Sequence, residues 1–288
     1  DDVGRRRRFD RSIIVLADVL SRIGARCMRR QSGFTLMELI GVMAILAVLS
    51  AVIAPSIVGT VNDAYGRAEA ANLQQITEDL ELFIRRNSQI PSGAIGDWTA
   101  AVGTLSDAPV NDLALNRRGF QRVLYFDPNF FVAGGGFSGY LQTGGLTAPP
   151  LSPRVMLISN LRGNVTGLTN NAAVFDDIWN QRPTAALFES DTLFIQRLNL
   201  GRLFKEVLVS SAAPNQAAIS FNNAPAIAVP AAGLLSEGVL SRFVLQDSRV
   251  LLYADPFPIG GLQTAYKATE DLGLRYTDLG GTFGWLQP

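Results

Sequence analysis

Phe34 to Ala54, FTLMELIGVMAILAVLSAVIA, is the longest apolar run in the chain, 21 residues with one charge, Glu38. As a helix it extends about 31 Å, enough to cross the hydrocarbon core of a bilayer. Core helices of soluble proteins rarely reach this length without a polar face. The flank before it holds Arg22, Arg26, Arg29 and Arg30, while the run itself holds no basic residue. The positive-inside rule then puts the N-terminus in the cytoplasm and the chain after Pro55 on the far side. An ordinary secretory signal fits less well, because its small-residue cleavage site follows the apolar stretch. Here the small residue, Gly33, precedes the stretch, and cutting there leaves the apolar helix on the product.

The rest of the composition agrees with a crossing segment and disfavours most enzymes. Residues 1–33 carry nine Arg and four Asp, net +5, and the remainder of the 288-residue chain is net −5. The absence of His removes the commonest general base and metal ligand, and the single Cys, Cys27, permits neither an intramolecular disulfide nor a CxxC knuckle. No nucleophile with its base, P-loop or dinucleotide fingerprint is present.

Gly33-Phe34-Thr35-Leu36-Met37-Glu38-Leu39-Ile40 resembles the class III signal of type IV pilins and type II secretion pseudopilins. Gly33 matches the residue before the scissile bond, Phe34 the new N-terminus, and Glu38 the fifth residue of the product. Pro55, residue 22 of that product, stands where pilins commonly carry a helix-kinking proline. The likeness covers about 55 residues, and the remaining 200 or so match no motif. It implies a prepilin, cut after Gly33 by a membrane aspartic peptidase that also methylates the amine of Phe34. It implies that Glu38 pairs with the N-terminal amine of a neighbouring subunit, so that two costly charges satisfy one another. The competing reading of Glu38 is a carboxylate that snorkels to the headgroups or is protonated. Pro55 is expected to bend or locally melt the helix, with Gly59 and Gly66 weakening the next turns.

Met28 to Gly33 makes a six-residue basic leader by itself, so translation is expected to start at Met28, with 1–27 an upstream extension. The alternative is a genuine long leader, 1–33. After Pro55, Val58, Val61, Tyr65, Ala68, Ile76, Leu80 and Phe83 follow helical spacing, with Asp63, Arg67, Glu69, Glu78, Asp79 and Arg85 mostly elsewhere. The helix is expected to end near Asn87, before Pro91. Three regions follow: a leader 1–33, a long helix within 34–90 that crosses the membrane over 34–54, and a β-rich domain 91–288.

Strands are expected at Arg122–Phe126, Arg154–Ser159, Thr192–Leu198, Lys205–Ser210, Ala217–Asn222, Val239–Leu245 and Val250–Ala254, the last two as a hairpin through Gln246–Arg249. Short helices are expected at Asp97–Leu105 and Val174–Asn180, and Gly/Pro-rich loops at Val132–Pro153 and Ala212–Gly233. Strands without long intervening helices indicate an antiparallel sheet. The fold class is therefore α+β, a long N-terminal helix packed on an antiparallel sheet, which is the pilin arrangement.

Asp247, Asp255, Glu270, Asp271 and Asp278 fall late in the chain, where some major pseudopilins bind calcium. Without EF-hand spacing they read first as solvated loop acids, with calcium as the alternative and no other cofactor. Arg117, Arg118 and Arg122 read as a solvated turn, with a DNA patch as the alternative, disfavoured by an acidic product. Asp176 and Asp177 read as an acid pair at a helix N-terminus beside a core Trp179, with a sugar or metal site as the alternative.

The reading is a structural, non-catalytic subunit in the cytoplasmic membrane, its C-terminal domain periplasmic before it enters a filament. Its partners are copies of itself, other pilins or pseudopilins, prepilin peptidase, the inner-membrane assembly platform and, before assembly, lipid. Bulk and the missing C-terminal Cys pair point to a minor pilin or pseudopilin, and Glu38 argues against the tip pseudopilin that lacks it. The alternatives are a minor pilin whose domain is an adhesin or DNA-uptake receptor, and an uncut, signal-anchored periplasmic enzyme.

Overall fold

Helix α1 runs from Leu36 to Asn87 in the computed structural model, which describes residues 35–106, 108–130, 139–214, 217–234, 236–254, 261–280 and 282–286. It stops where expected: Ser88 takes a φ of +50° and Pro91 lies three residues on. It does not melt at Pro55, since helical structure continues through the proline. Ser56 and Thr60 instead turn their hydroxyls back onto the carbonyls of Ile53 (2.8 Å) and Ser56 (2.9 Å).

The chain divides into two compact units at Thr60/Val61. The described part of the first is helical, and every residue from Leu36 to Thr60 is exposed. Among the described residues, the second contains the rest of α1, three shorter α-helices and all the strands. In it α1 buries Gly66, Glu69, Leu73, Ile76, Thr77, Leu80 and Ile84. This corrects the expected stripe: Val61 and Tyr65 are exposed and Glu69 is buried. Burial on α1 begins at Gly66, so the earlier apolar residues do not belong to the domain core. Gly66 serves as a contact and not as a weak turn. A Cβ there would meet Phe194 Cζ at 3.1 Å and the Asp191 carbonyl at 3.5 Å. Gly66→Leu is expected to destabilise the second unit by about 1–3 kcal/mol, read as a lower urea midpoint at unchanged slope. An unchanged midpoint would show that Phe194 yields freely.

After α1 come β1 (Gln89–Ile90), α2 (Ile95–Gly103), α3 (Val110–Ala114), β2 (Val123–Phe126), β3 (Tyr140–Leu141), β4 (Arg154–Asn160), α4 (Ala172–Asn180) and β5 (Leu193–Asn199). Strands β2, β4 and β5 form an antiparallel sheet in the order β2-β4-β5, and β1 pairs with β3. The central β4 has five consecutive buried residues, Val155–Ser159, as a strand covered on both faces must. One face meets α1 through Val155, Leu157, Leu73, Ile76 and Leu80, together with Trp98 and Leu113. The other meets α4 through Met156, Ile158, Phe175 and Ile178. Asn171 caps α4 by accepting from Ala173 N at 2.8 Å.

The chain continues through a 3₁₀ turn, Leu200–Leu203, into β6 (Phe204–Ser211), β7 (Ala218–Phe221), β8 (Ile227–Ala228), β9 (Gly238–Leu245), β10 (Arg249–Tyr253), β11 (Leu262–Lys267), β12 (Leu272–Asp278) and β13 (Phe283–Leu286). These make two four-stranded sheets, β13-β12-β6-β9 and β11-β10-β7-β8. They share a core in which Val207, Val209, Val244, Leu274 and Tyr276 of the first meet Ile219, Phe221, Val250 and Leu252 of the second.

The α+β class, the long helix and the antiparallel sheets stand as expected, with the seven expected strands and two short helices found within a few residues. Two pairings differ. The expected hairpin of Val239–Leu245 with Val250–Ala254 does not form: β9 pairs with β6, and β10 with β7 and β11. Both strands carry residues for the shared core, so the 246–248 turn carries the chain from one sheet to the other. Strand β12 pairs with β6 in parallel, the one parallel ladder among the described strands. Three strands after residue 260 lay outside the expected set. Edge strand β11 has no buried residue, which leaves little apolar alternation to read. The expected loop 132–153 contains β3, and 132–138 lie outside the described residues. The loop 212–233 contains β8.

Candidate functional site

Thr35 and Glu38 cap the start of α1 reciprocally. Glu38 N donates to Thr35 Oγ1 at 3.2 Å, and Glu38 Oε2 accepts from Thr35 N at 2.9 Å and Thr35 Oγ1 at 3.0 Å. A threonine followed three residues later by a glutamate is the capping-box spacing, and here it satisfies a helix-end N–H while holding the carboxylate in one place. Gly33 and Phe34 lie outside the described residues. From Leu36 to Val61 the helix is exposed and, Glu38 apart, uncharged, with Leu36 78% and Val52 72% exposed. Among the described helices, α1 is the one long and apolar enough to cross a membrane.

The second unit holds its part of α1 with a buried ion pair. Arg122 Nε donates to Glu69 Oε1 at 2.7 Å and Nη2 to Oε2 at 2.8 Å, with the side chains 2% and 1% exposed. Arg122 Nη1 also donates to the carbonyls of Asp112 (2.6 Å) and Leu113 (2.9 Å), tying α3 to α1. The two charges are thus paired in a fork and four of the five guanidinium N–H groups are bonded, which is what burying them requires. Arg122 is therefore not part of a surface patch. Sequence reading put Glu69 on the polar face. The usable signal was its spacing from Leu73, Ile76 and Leu80, which places it on the apolar stripe.

The remaining acidic candidates separate. Asp247, at φ +68°, receives Arg85 Nη2 at 2.9 Å and Lys267 Nζ at 3.1 Å. Asp271 accepts from Glu206 N at 2.8 Å, and Asp278 ends β12 opposite Phe283. Asp255 lies outside the described residues. Among the described residues, no three His, Cys, Asp or Glu side chains gather to hold a metal. Asp176 and Asp177 sit in the middle of α4, not at its N-terminus. Asp176 pairs with Arg154 at 2.6 Å. That guanidinium also pairs with buried Asp127 and lies over the rings of Phe175 (5.3 Å) and Trp179 (5.4 Å). Asp177 accepts from Thr184 at 2.7 Å.

Asp247 connects the end of α1 to the turn between the two sheets. Burial alone raises its pKa, but hydrogen bonds and charge from Lys267 and Arg85 outweigh it and leave the carboxyl below the ordinary aspartate value. A depressed carboxylate adds stability above its unfolded pKa, and this is lost as pH falls through the folded value, so the window lies below about pH 4. Asp247→Asn tolerates the positive φ and removes the charge. The variant is expected to melt below wild type at pH 7 and to converge on it in acid. A constant difference in melting temperature from neutral to acid pH would count against this role.

Residues 28–54 match the model of the prokaryotic N-terminal methylation motif. No curated protein and no solved structure matches the chain. The chain therefore carries a type IV pilin- or pseudopilin-like prepilin signal, and that signal with the single long apolar helix fits anchoring in the inner membrane. A signal of this kind implies processing by a prepilin peptidase and assembly into filaments with other pilins.

Proposed function

We propose that this chain is a structural, non-catalytic subunit of a type IV pilus-like or type II secretion pseudopilus filament, cut after Gly33 and N-methylated on Phe34. The match of residues 28–54 to the methylation motif carries the reading. It is supported by the exposed apolar surface of α1 from Leu36 to Val61. Before assembly the helix spans the inner membrane with the domain periplasmic, a topology that the arginine-rich flank supports. In the filament that surface packs against other subunits. Glu38 there exchanges its Thr35 partners for the methylated amine of a neighbouring Phe34, a charge-assisted pair that is favourable away from water.

The subunit is a minor pilin or pseudopilin. Roughly 200 residues beyond the helix are bulky for a subunit that must repeat densely, and the segment carrying the two four-stranded sheets, 204–286, accounts for about 80 of them. Intact-mass spectrometry on sheared filaments and on membranes tests the whole reading. The expected result is a product beginning at methylated Phe34, abundant in membranes and a trace in sheared filaments. A sheared fraction dominated by that product would make this a major pilin, and finding only uncut chain would overturn the prepilin reading.

A further inference from the structure

No charged residue occurs between Glu38 and Asp63, a run of 24 residues. As helix this covers about 36 Å against a hydrocarbon core of about 30 Å, so with residues 39–62 centred in the bilayer, in place of the 34–54 expected from the apolar run, Asn62, Asp63 and Tyr65 fall at the level of the lipid headgroups. Tyr65 is the first aromatic residue after Phe34, and tyrosine, like tryptophan, favours this level. The second unit places an arginine on it. Arg118 lies over the Tyr65 ring at 5.4 Å, its Nη2 donates to Asn62 Oδ1, and its Nη1 donates to the Leu161 carbonyl at 3.4 Å.

Arg118 is exposed. A guanidinium has five N–H donors in a planar fork, and these two bonds leave three for another acceptor. The backbone that presents it is fixed. Gly119 N donates to Asn116 O at 2.8 Å, Asn116 N to Phe120 O at 2.9 Å, and Gly119 takes φ +82°. Asn116 is itself buried, its amide donating to Asn160 O at 2.9 Å. The side chain is therefore pre-organised, and binding costs little further entropy. Exposed Arg117 precedes it in the same turn, and exposed Asp63 follows Asn62 on α1.

We propose that the Asn116–Phe120 turn, through Arg118 and Arg117, docks on anionic phospholipid headgroups where α1 leaves the bilayer. The inference rests on the membrane-anchored reading. Planar guanidinium matches phosphate oxygens in a fork, and the position one helical turn beyond the uncharged span selects lipid over a soluble polyanion. While docked, the domain is held at the membrane; removing the subunit into a filament must break this contact.

The test uses the full chain with Cys27→Ser and a nitroxide on Gly163→Cys, a position where an added Cβ meets nothing within 4 Å. It is reconstituted in phosphatidylcholine vesicles, with or without about one-third phosphatidylglycerol. Collisions with a headgroup-tethered nickel chelate are expected to rise severalfold with the anionic lipid. High salt or Arg118→Gln should reverse most of that rise, since each arginine at the surface is worth about fivefold in occupancy. Equal collisions in the two lipids, or an unaltered signal in Arg118→Gln with its thermal unfolding unchanged, would overturn the proposal. So would immobilisation of the label by a duplex oligonucleotide in the zwitterionic vesicles, which would make the patch a nucleic-acid site. A second nitroxide on Val48→Cys reports separately on the anchor: if it shows no contact with hydrocarbon, the membrane reading fails and not only the docking.

Discussion

Arg122→Ala is expected to destabilise the second unit by about 3–5 kcal/mol, the usual cost of stranding one buried charge. The variant leaves the Glu69 carboxylate, 1% exposed, without its fork and deprives the carbonyls of Asp112 and Leu113 of their donor. Glu69→Ala should cost nearly as much, because it leaves the guanidinium buried. The pair Glu69→Met with Arg122→Leu should cost much less than either, since the double variant buries no unpaired charge and keeps the volume roughly filled. Urea unfolding of the full chain in detergent reads all three. If both single variants lose less than about 1 kcal/mol, water reaches the pair and the clamp is not holding α3 to α1.

The second large effect concerns Gly33 and belongs to the processing reaction. Extended backbone must lie in a peptidase cleft, and glycine offers no Cβ to obstruct it. Gly33→Leu should slow cleavage about a hundredfold or more, equivalent to about 2.7 kcal/mol in the transition state. The unprocessed chain then accumulates in the membrane with its arginine flank attached, visible as a heavier intact mass. It should not enter filaments, because no amine forms on Phe34 to meet Glu38. Normal processing of the variant would sink the assignment of the cut site. Normal function of an uncut chain would instead favour a simple membrane anchor.

The two sites differ in how far they could be read without coordinates. The signal is local: Gly33, Phe34 and Glu38 lie within six residues, and the apolar run that follows obeys a bilayer's length requirement whatever the domain does. The Glu69–Arg122 pair joins residues 53 apart. A charged residue reads as exposed until its partner is known, and nothing in the pattern around Arg122 points to residue 69. The same limit explains Arg117, Arg118 and Arg122. One run of sequence placed them together, whereas the tertiary structure buries Arg122 at the α1–α3 junction and brings Arg118 to Asn62 and Tyr65.

Strand positions followed the same rule. Individual strands such as β4 and β6 were legible because side-chain alternation and burial are properties of a single segment. Pairing was not, because which edge meets which depends on the path between them. Val239–Leu245 and Val250–Ala254 resemble a hairpin in sequence, with four residues between them. Asp247, held by Arg85 and Lys267, turns the chain instead into the facing sheet. The parallel pairing of β6 with β12 spans some 65 residues and leaves no local trace.

The sequence by itself determined the prepilin signal, the membrane-length helix with its single acid, the end of that helix at Asn87 and the α+β class. Each is a matter of spacing, charge or apolar period within one stretch of chain. Only the tertiary structure decided which face of α1 meets the domain, which charges are buried and paired, and how the strands divide between sheets. These depend on contacts between residues far apart in sequence, where burial reverses the meaning that composition gives to a charge.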